Sequence, residues 1–186
     1  VLLLLGVLVG QAAQFCPDLG IQVRAAPAQG YVCEEVSEGL AMCAACGSRL
    51  VRTAELAGWG VSRDELKAEL TRRAAGALTD ARPVRQDIPD MPQADFWSSQ
   101  VGDGYDVAGL LHPARLYEIA GTTPVIGVPE VGSLLMWIPG DEELDKVMAV
   151  GVRRMFDEAK YPVSDKVYRW HNGEWVVWGE VVSPGG

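Results

Sequence analysis

The stretch Val101-Gly-Asp-Gly-Tyr-Asp-Val-Ala-Gly-Leu-Leu111 decides how the chain folds, because it changes the direction of the backbone between two regular elements. Its first two glycines and its two aspartates are typical of a tight turn, in which aspartate side chains accept hydrogen bonds from nearby backbone amides. The apolar residues that follow are typical of the beginning of a helix. We therefore predict a turn between a strand over residues 94–101 and a helix beginning near Val107.

Downstream of this turn, strand and helix signals follow one another closely. Residues 107–111 and 113–120 predict one kinked helix or two short helices, divided at a proline that the first turn of a helix tolerates. Two apolar runs, residues 123–128 and 133–138, predict a pair of strands, and the continuous apolar character of the second places it centrally in its sheet. A helix over about residues 141–160 follows, with acidic residues at its start.

The C-terminal part predicts a β-hairpin around Asn172-Gly173, the preferred pair for a two-residue type I′ turn. This turn sets a register in which Trp170 faces Trp175 across the two strands. Tyr168, Trp170 and Trp175 then share one large aromatic face. That face is either part of the core or, if it is exposed, a candidate surface for a partner.

Upstream of the turn, the clearest element is a helix over about residues 62–78. Ser62 and Glu65 form a capping box at its start, and Leu66 and Leu70 recur on one face. Residues 40–46 predict a strand, whereas residues 83–92 hold three prolines and predict an extended linker.

These elements together predict an α+β fold with a mixed or antiparallel sheet, two principal helices (about residues 62–78 and 141–160) and a C-terminal β-hairpin. The length of 186 residues fits a single domain. Within that domain, residues 39–182 form the predicted core of the fold, and residues 1–38 form an N-terminal segment to which we assign no role.

Charge and hydrophobicity limit the classes of function that the chain can have. Its formal net charge is -9, and because nucleic-acid binding depends on Lys and Arg that neutralise phosphates, we predict no nucleic-acid partner. Residues 1–10 are almost entirely apolar, but a helix that spans a bilayer needs about 20 such residues. We therefore predict no membrane span.

Residues 1–10 have two interpretations, and these decide the compartment. They form either a buried strand in a cytoplasmic protein, which is our prediction, or the apolar part of a signal peptide in a secreted one. The four cysteines, Cys16, Cys33, Cys43 and Cys46, are then buried thiols in the first case and two disulfides with three alternative pairings in the second. Cys43 and Cys46 are also a candidate redox pair, because only two residues separate them. We predict no metal site, since the other two cysteines are isolated in the sequence.

Three side chains near the turn are candidates for catalysis: Asp103, Asp106 and His112. If they converged at the mouth of a pocket, they would provide the carboxylates and imidazole of an acid/base or metal-assisted site. Their spacing matches no ligand motif that we know, and a turn stabilised by Asp side chains explains both carboxylates without chemistry. The sequence contains no phosphate-binding glycine loop, nucleophile elbow or zinc-binding helix, so we predict no cofactor.

Several stretches resemble a known family: Gly104-Tyr-Asp-Val-Ala-Gly-Leu-Leu111, Val125-Ile-Gly-Val-Pro129, Leu134-Leu135, Val167-Tyr168 with Asn172-Gly173, and Gly58-Trp59 with the capped helix. Over roughly residues 40–182 the chain is similar to the YtpQ family, a set of bacterial proteins of unknown function. The resemblance implies an intracellular α+β domain without an established activity or cofactor, and it supplies no catalytic residues. The chain departs from the family at residues 130–132, where the family tends to have a short polar or acidic segment.

We predict from these observations a non-catalytic domain that binds a protein partner or a small ligand. The first alternative is a hydrolase or metal-assisted enzyme that uses the region of Asp103, Asp106 and His112. The second alternative is a thiol redox protein that uses Cys43 and Cys46.

Overall fold

The computed structural model describes residues 15–79, 83–88, 91–102 and 104–178, except for the side chains of residues 92 and 93. Residues 1–10 and Asp103 lie outside the described residues, so the predictions that concern them stay predictions. The strands are β1 (Leu19–Arg24), β2 (Cys33–Ser37), β3 (Leu40–Cys46), β4 (Arg49–Leu50), β5 (Val84–Ile88), β6 (Met91–Ser99), β7 (Val125–Gly127), β8 (Leu134–Trp137), β9 (Val167–His171) and β10 (Glu174–Val177). The helices are α1 (Glu55–Trp59), α2 (Arg63–Thr79), α3 (Pro113–Ala120) and α4 (Glu142–Glu158), with a 3-10 helix at Ala108–Leu111.

The strands form two antiparallel sheets. The small sheet has the order β1-β3-β2, with β4 also paired to β3, and the large sheet has the order β10-β9-β7-β8-β6-β5. Within the described ranges, four α-helices accompany these sheets. The prediction of an α+β fold with an antiparallel sheet and a C-terminal hairpin is therefore confirmed.

The two principal helices have bounds close to the predicted ones, and capping side chains determine where each of them begins. At the start of α2, the Glu65 carboxylate accepts hydrogen bonds from the backbone amide and hydroxyl of Ser62, and the Ser62 hydroxyl accepts one from the Glu65 amide. At the start of α4, the Asp141 carboxylate accepts hydrogen bonds from the backbone amides of Glu143 and Leu144.

In the part of the chain that the structure describes, no helix is long and apolar enough to cross a membrane.

In the large sheet, β8 lies between β7 and β6, and all four of its residues are buried. Its central position, predicted from its continuous apolar residues, is confirmed. The prediction of an extended linker over residues 83–92 is wrong for residues 84–88, because β5 pairs with β6 at the edge of the sheet. Only one neighbouring strand covers β5, so its residues are mostly exposed, and its polar sequence looks like that of a linker.

The C-terminal hairpin has the predicted register, in which Trp170 pairs with Trp175. Asn172 and Gly173 have φ angles of 49° and 91°, as a type I′ turn requires. Tyr168 and Trp175 are buried, while Trp170 is half-buried and meets the Trp175 ring edge-on at 5.3 Å between centroids. The candidate partner surface at Tyr168, Trp170 and Trp175 is therefore part of the core.

One apolar core joins the two sheets. Buried residues of both sheets belong to a single cluster, which includes Ile21, Val23 and Leu40 of the small sheet and Ile126, Met136 and Tyr168 of the large sheet. Hydrogen bonds at the turn between β2 and β3 also hold the two sheets together. The Tyr168 hydroxyl donates to the Glu38 carbonyl at 3.1 Å and shares a hydrogen bond of 2.7 Å with the Ser164 hydroxyl.

The four cysteines form two disulfides, Cys16–Cys46 and Cys33–Cys43, and no cysteine among the described residues is free. The structure therefore corrects two predictions, buried thiols and a redox pair of Cys43 with Cys46. Side chains alternate along a strand, so two residues that are three positions apart on β3 point to opposite faces of the sheet and cannot be joined. Each of these two cysteines instead pairs with a cysteine outside β3.

We predict that folding stability depends on Glu69, whose carboxylate accepts hydrogen bonds from both Arg72 and Arg73 on α2. These bonds lower the pKa of Glu69 to about 2, so its stabilising effect is present above pH 4.5 and is lost as the pH falls towards 2. We expect Glu69→Gln to lower the free energy of unfolding by about 1–2 kcal/mol at pH 7. This is less than the full pKa shift would give, because Arg72 is largely exposed and solvent screens its charge.

Urea unfolding at pH 7 and at pH 2.5 checks this prediction, because the difference between wild type and variant should be smaller at the lower pH. Glu142→Gln, on an exposed i,i+4 pair with Lys146, is the matched control and should change stability little at either pH. An equal loss for Glu69→Gln at both pH values would contradict the explanation.

Candidate functional site

The Asp106 carboxylate is buried, and its two oxygens hold the turn that follows β6. Oδ1 accepts hydrogen bonds from the Ser99 hydroxyl at 2.9 Å and from the Val101 amide, and Oδ2 accepts one from the Gly102 amide at 2.7 Å. This arrangement is the predicted turn stabilised by an aspartate side chain. The carboxylate thus holds a backbone conformation and is not directed towards open solvent.

The same turn attaches the large sheet to the small one. The Gly104 carbonyl accepts a hydrogen bond of 3.0 Å from the amide of Ile21, at the free edge of β1, and the Tyr105 hydroxyl donates to the Leu19 carbonyl. Gly104 has a φ of 81°, which favours glycine, and a Cβ at Gly20 would lie 3.4 Å from the Gly104 carbonyl oxygen. The turn is therefore the joint between the two layers.

His112 lies at the start of α3 and bonds to α2. Its Nε2 is 2.8 Å from the Thr71 carbonyl oxygen, and since a carbonyl can only accept, Nε2 carries the proton and donates it. The structure thus gives Asp106 and His112 separate hydrogen-bonding partners. Among the described residues, no group of three His, Cys, Asp or Glu side chains could hold a metal ion.

A cavity lies elsewhere, between the small sheet and α2. We call it the sheet–helix cleft, and its volume is about 280 Å³. Its apolar lining comes from the small sheet, from α2 and from the end of the 3-10 helix. The residues are Ile21, Met42 and Ala44 of the sheet, Val32 just before β2, Leu66 and Leu70 of α2, and Leu111. The register of β1 with β3 places Ile21 opposite Ala44, so these side chains share the face that α2 covers.

Charged side chains surround the mouth of the cleft: Glu34 on β2, and Arg63, Asp64 and Lys67 on α2. Lys67 Nζ donates to both oxygens of Glu34, at 2.7 and 2.9 Å, and this ion pair connects α2 to β2. Both side chains of the pair are more than half exposed, at 55% and 57%, so the pair contributes little to stability. It does place a polar rim around an apolar interior.

Sequence patterns indicated the two faces of the cleft but not the cleft itself. Leu66 and Leu70 were predicted to share one face of α2, and residues 40–46 were predicted to form a strand. Leu70 and Met42 are only half-buried, because α2 does not cover the sheet completely at this point. A gap between two apolar faces depends on the angle and distance at which they pack, and no local sequence signal carries that information.

We predict that Asp106→Asn destabilises the fold by about 2–4 kcal/mol. Both oxygens of Asp106 accept hydrogen bonds, and in Asn one of them is replaced by an NH₂ group, which would face an N–H or O–H donor and could not accept. The matched control is Asp141→Asn at the start of α4, which should change stability by less than about 0.5 kcal/mol, since Asn and Asp are equally good N-caps. Chemical unfolding of the two variants measures both values. Equal stability of Asp106→Asn and wild type would show that the turn does not depend on the carboxylate.

Comparison with protein-family models, with curated proteins and with solved structures finds no match to this chain. The resemblance to the YtpQ family therefore stays a prediction, and the cleft and the turn are interpreted below from their own geometry.

Proposed function

We propose that the protein is a binding domain, without a catalytic role, that takes a small apolar molecule into the sheet–helix cleft. The observation that carries this proposal is a cavity of about 280 Å³ with an apolar interior and a charged rim. Ligand sites in proteins have this character, with an apolar lining and a few polar groups that fix orientation.

The size and the lining of the cleft limit the class of ligand. Small-molecule sites commonly have volumes of about 300–1,000 Å³, so this cleft suits a ligand at the small end of that range. Met42 provides a flexible thioether, which adapts to the shape of a ligand and makes favourable contacts with aromatic rings. A small aromatic or branched aliphatic molecule fits these properties best.

The environments of Asp106 and His112 favour a binding domain over the hydrolase alternative. Asp106 accepts three hydrogen bonds from its own turn, and His112 Nε2 donates to a helix carbonyl. A general base needs a lone pair directed at the proton that it removes, and these contacts use the groups for structure.

The two disulfides support an oxidising compartment for this protein. Disulfides persist in secreted and periplasmic proteins and are rare in the cytoplasm, where thiols are kept reduced. We therefore propose the secreted alternative for localisation. The partner in this proposal is the small ligand of the cleft, and the net charge of -9 argues against nucleic acid.

Binding of indole, a small aromatic probe, tests the proposed function by NMR of protein labelled with ¹³C in the methionine methyl groups. We expect the Met42 methyl signal to shift with a saturable Kd of about 0.1–1 mM, which is usual for a probe of this size. Met136 and Met148 are buried outside the cleft and serve as internal controls.

Leu70→Trp fills the cleft and should weaken indole binding at least about tenfold, because the larger side chain occupies the site of the ligand. Val150→Trp is the control, since Val150 is 67% exposed on α4 and lies away from the cleft. A Met42 signal that does not respond to indole, or unchanged affinity in Leu70→Trp, would refute the proposal.

A further inference from the structure

One wall of the sheet–helix cleft belongs to the edge of the small sheet. Val32 and Glu34, on either side of Cys33, both line the cleft. β2 pairs with β3 on one side only and is the edge strand in the order β1-β3-β2. The position of this wall therefore depends on what attaches β2 to β3 and to α2.

The Cys33–Cys43 disulfide makes that attachment at the wall itself. The two cysteines are directly opposite each other in the pairing of β2 with β3. The amide of Ala44 donates to the carbonyl of Val32, the residue before Cys33. Cys33 and Cys43 are therefore a non-hydrogen-bonded pair, the type of antiparallel pair in which the side chains lie closer together. Strand alternation turns the two cysteine side chains towards the face opposite Met42 and Ala44, but both cysteines still contribute to the lining of the cleft. A reagent approaches the disulfide at Cys33, which is half-buried, whereas Cys43 is buried.

The two disulfides differ in their surroundings. Cys16 and Cys46 are both half-buried beside an apolar cluster that includes Phe15 and Trp59. Cys33 is half-buried on the edge strand and Cys43 is buried. Their disulfide spans only 10 residues of a hairpin that backbone pairing already closes. Cys16–Cys46 spans 30 residues, so its loss releases more chain entropy on unfolding. The fold therefore survives the opening of Cys33–Cys43 more readily.

We propose that the Cys33–Cys43 disulfide is a redox control on ligand binding in the sheet–helix cleft, opened by a small dithiol while Cys16–Cys46 persists. A thiolate of the dithiol attacks Cys33 Sγ, the disulfide breaks, and Cys43 leaves as a thiolate that takes up a proton. The second thiol of the reagent then attacks the mixed disulfide and releases Cys33. The protein gains two electrons and two protons, and the dithiol becomes a cyclic disulfide.

Opening the disulfide moves the wall of the cleft. Two thiols cannot remain at bonding distance, so β2 separates from β3 at Cys33 or the side chains rotate, and the adjoining Val32 and Glu34 shift with the backbone. The Lys67–Glu34 ion pair and the remaining strand pairing keep β2 attached. A displaced contact in an apolar site costs about tenfold in affinity.

The order of reduction tests the exchange in the native protein. We expect titration with dithiothreitol, followed by alkylation and peptide mass spectrometry, to label Cys33 and Cys43 while Cys16–Cys46 is still joined, at a dithiol concentration at least about tenfold lower. Circular dichroism should show a folded protein at that stage. Opening of Cys16–Cys46 first, or of both disulfides together with unfolding, would overturn the proposal.

The effect on binding rests on the proposed function and is measured with the same indole probe. Both the partly reduced wild type and the Cys33→Ser/Cys43→Ser double variant should bind indole about tenfold more weakly than the oxidised protein. Equal affinity in the oxidised and partly reduced wild type overturns the redox control and leaves the cleft as a binding site. Absence of indole binding in the oxidised protein overturns the proposed function instead, and the redox control of the cleft with it.

Discussion

The structure depends on one buried carboxylate. Asp106 holds the turn after β6 by accepting hydrogen bonds from Ser99, Val101 and Gly102, and this turn presents the Gly104 carbonyl to the amide of Ile21. The side chain of Ile21 lines the sheet–helix cleft. The polar contacts of the turn therefore position both the small sheet and one wall of the candidate binding site.

Local sequence signals predicted those parts of the fold that local physics determines. The capping box at Ser62, the Asn172-Gly173 turn and the apolar residues of β8 each specify an element through neighbours in the chain, and the structure confirms each of them. The two aspartates between glycines correctly predicted a turn, and Asp106 fulfils that role. The strand β5 was missed because an edge strand with polar residues has no distinctive alternation.

Contacts between distant segments could not be predicted in the same way. Four cysteines allow three pairings, and only the registers within the small sheet show why Cys33 meets Cys43. The candidate redox pair of Cys43 and Cys46 does not form, because the two residues lie three positions apart on β3 and point to opposite faces. The cleft could not be predicted because it arises from incomplete packing between α2 and the small sheet. The sequence also left open whether the aromatic face of the hairpin is core or surface, and the burial of Tyr168 and Trp175 places it in the core.

Amide hydrogen exchange at Ile21 tests the central claim, that the Asp106 turn joins the two sheets, most directly. This amide belongs to an edge strand, and the Gly104 carbonyl is its hydrogen-bond acceptor. We expect slow exchange in the wild type and exchange at least about tenfold faster in Asp106→Asn, when each protein is measured at the denaturant concentration that gives Met136 in central β8 the same exchange rate in both. Ile21 exchange that is fast in the wild type, or unchanged by the substitution, would contradict the claim.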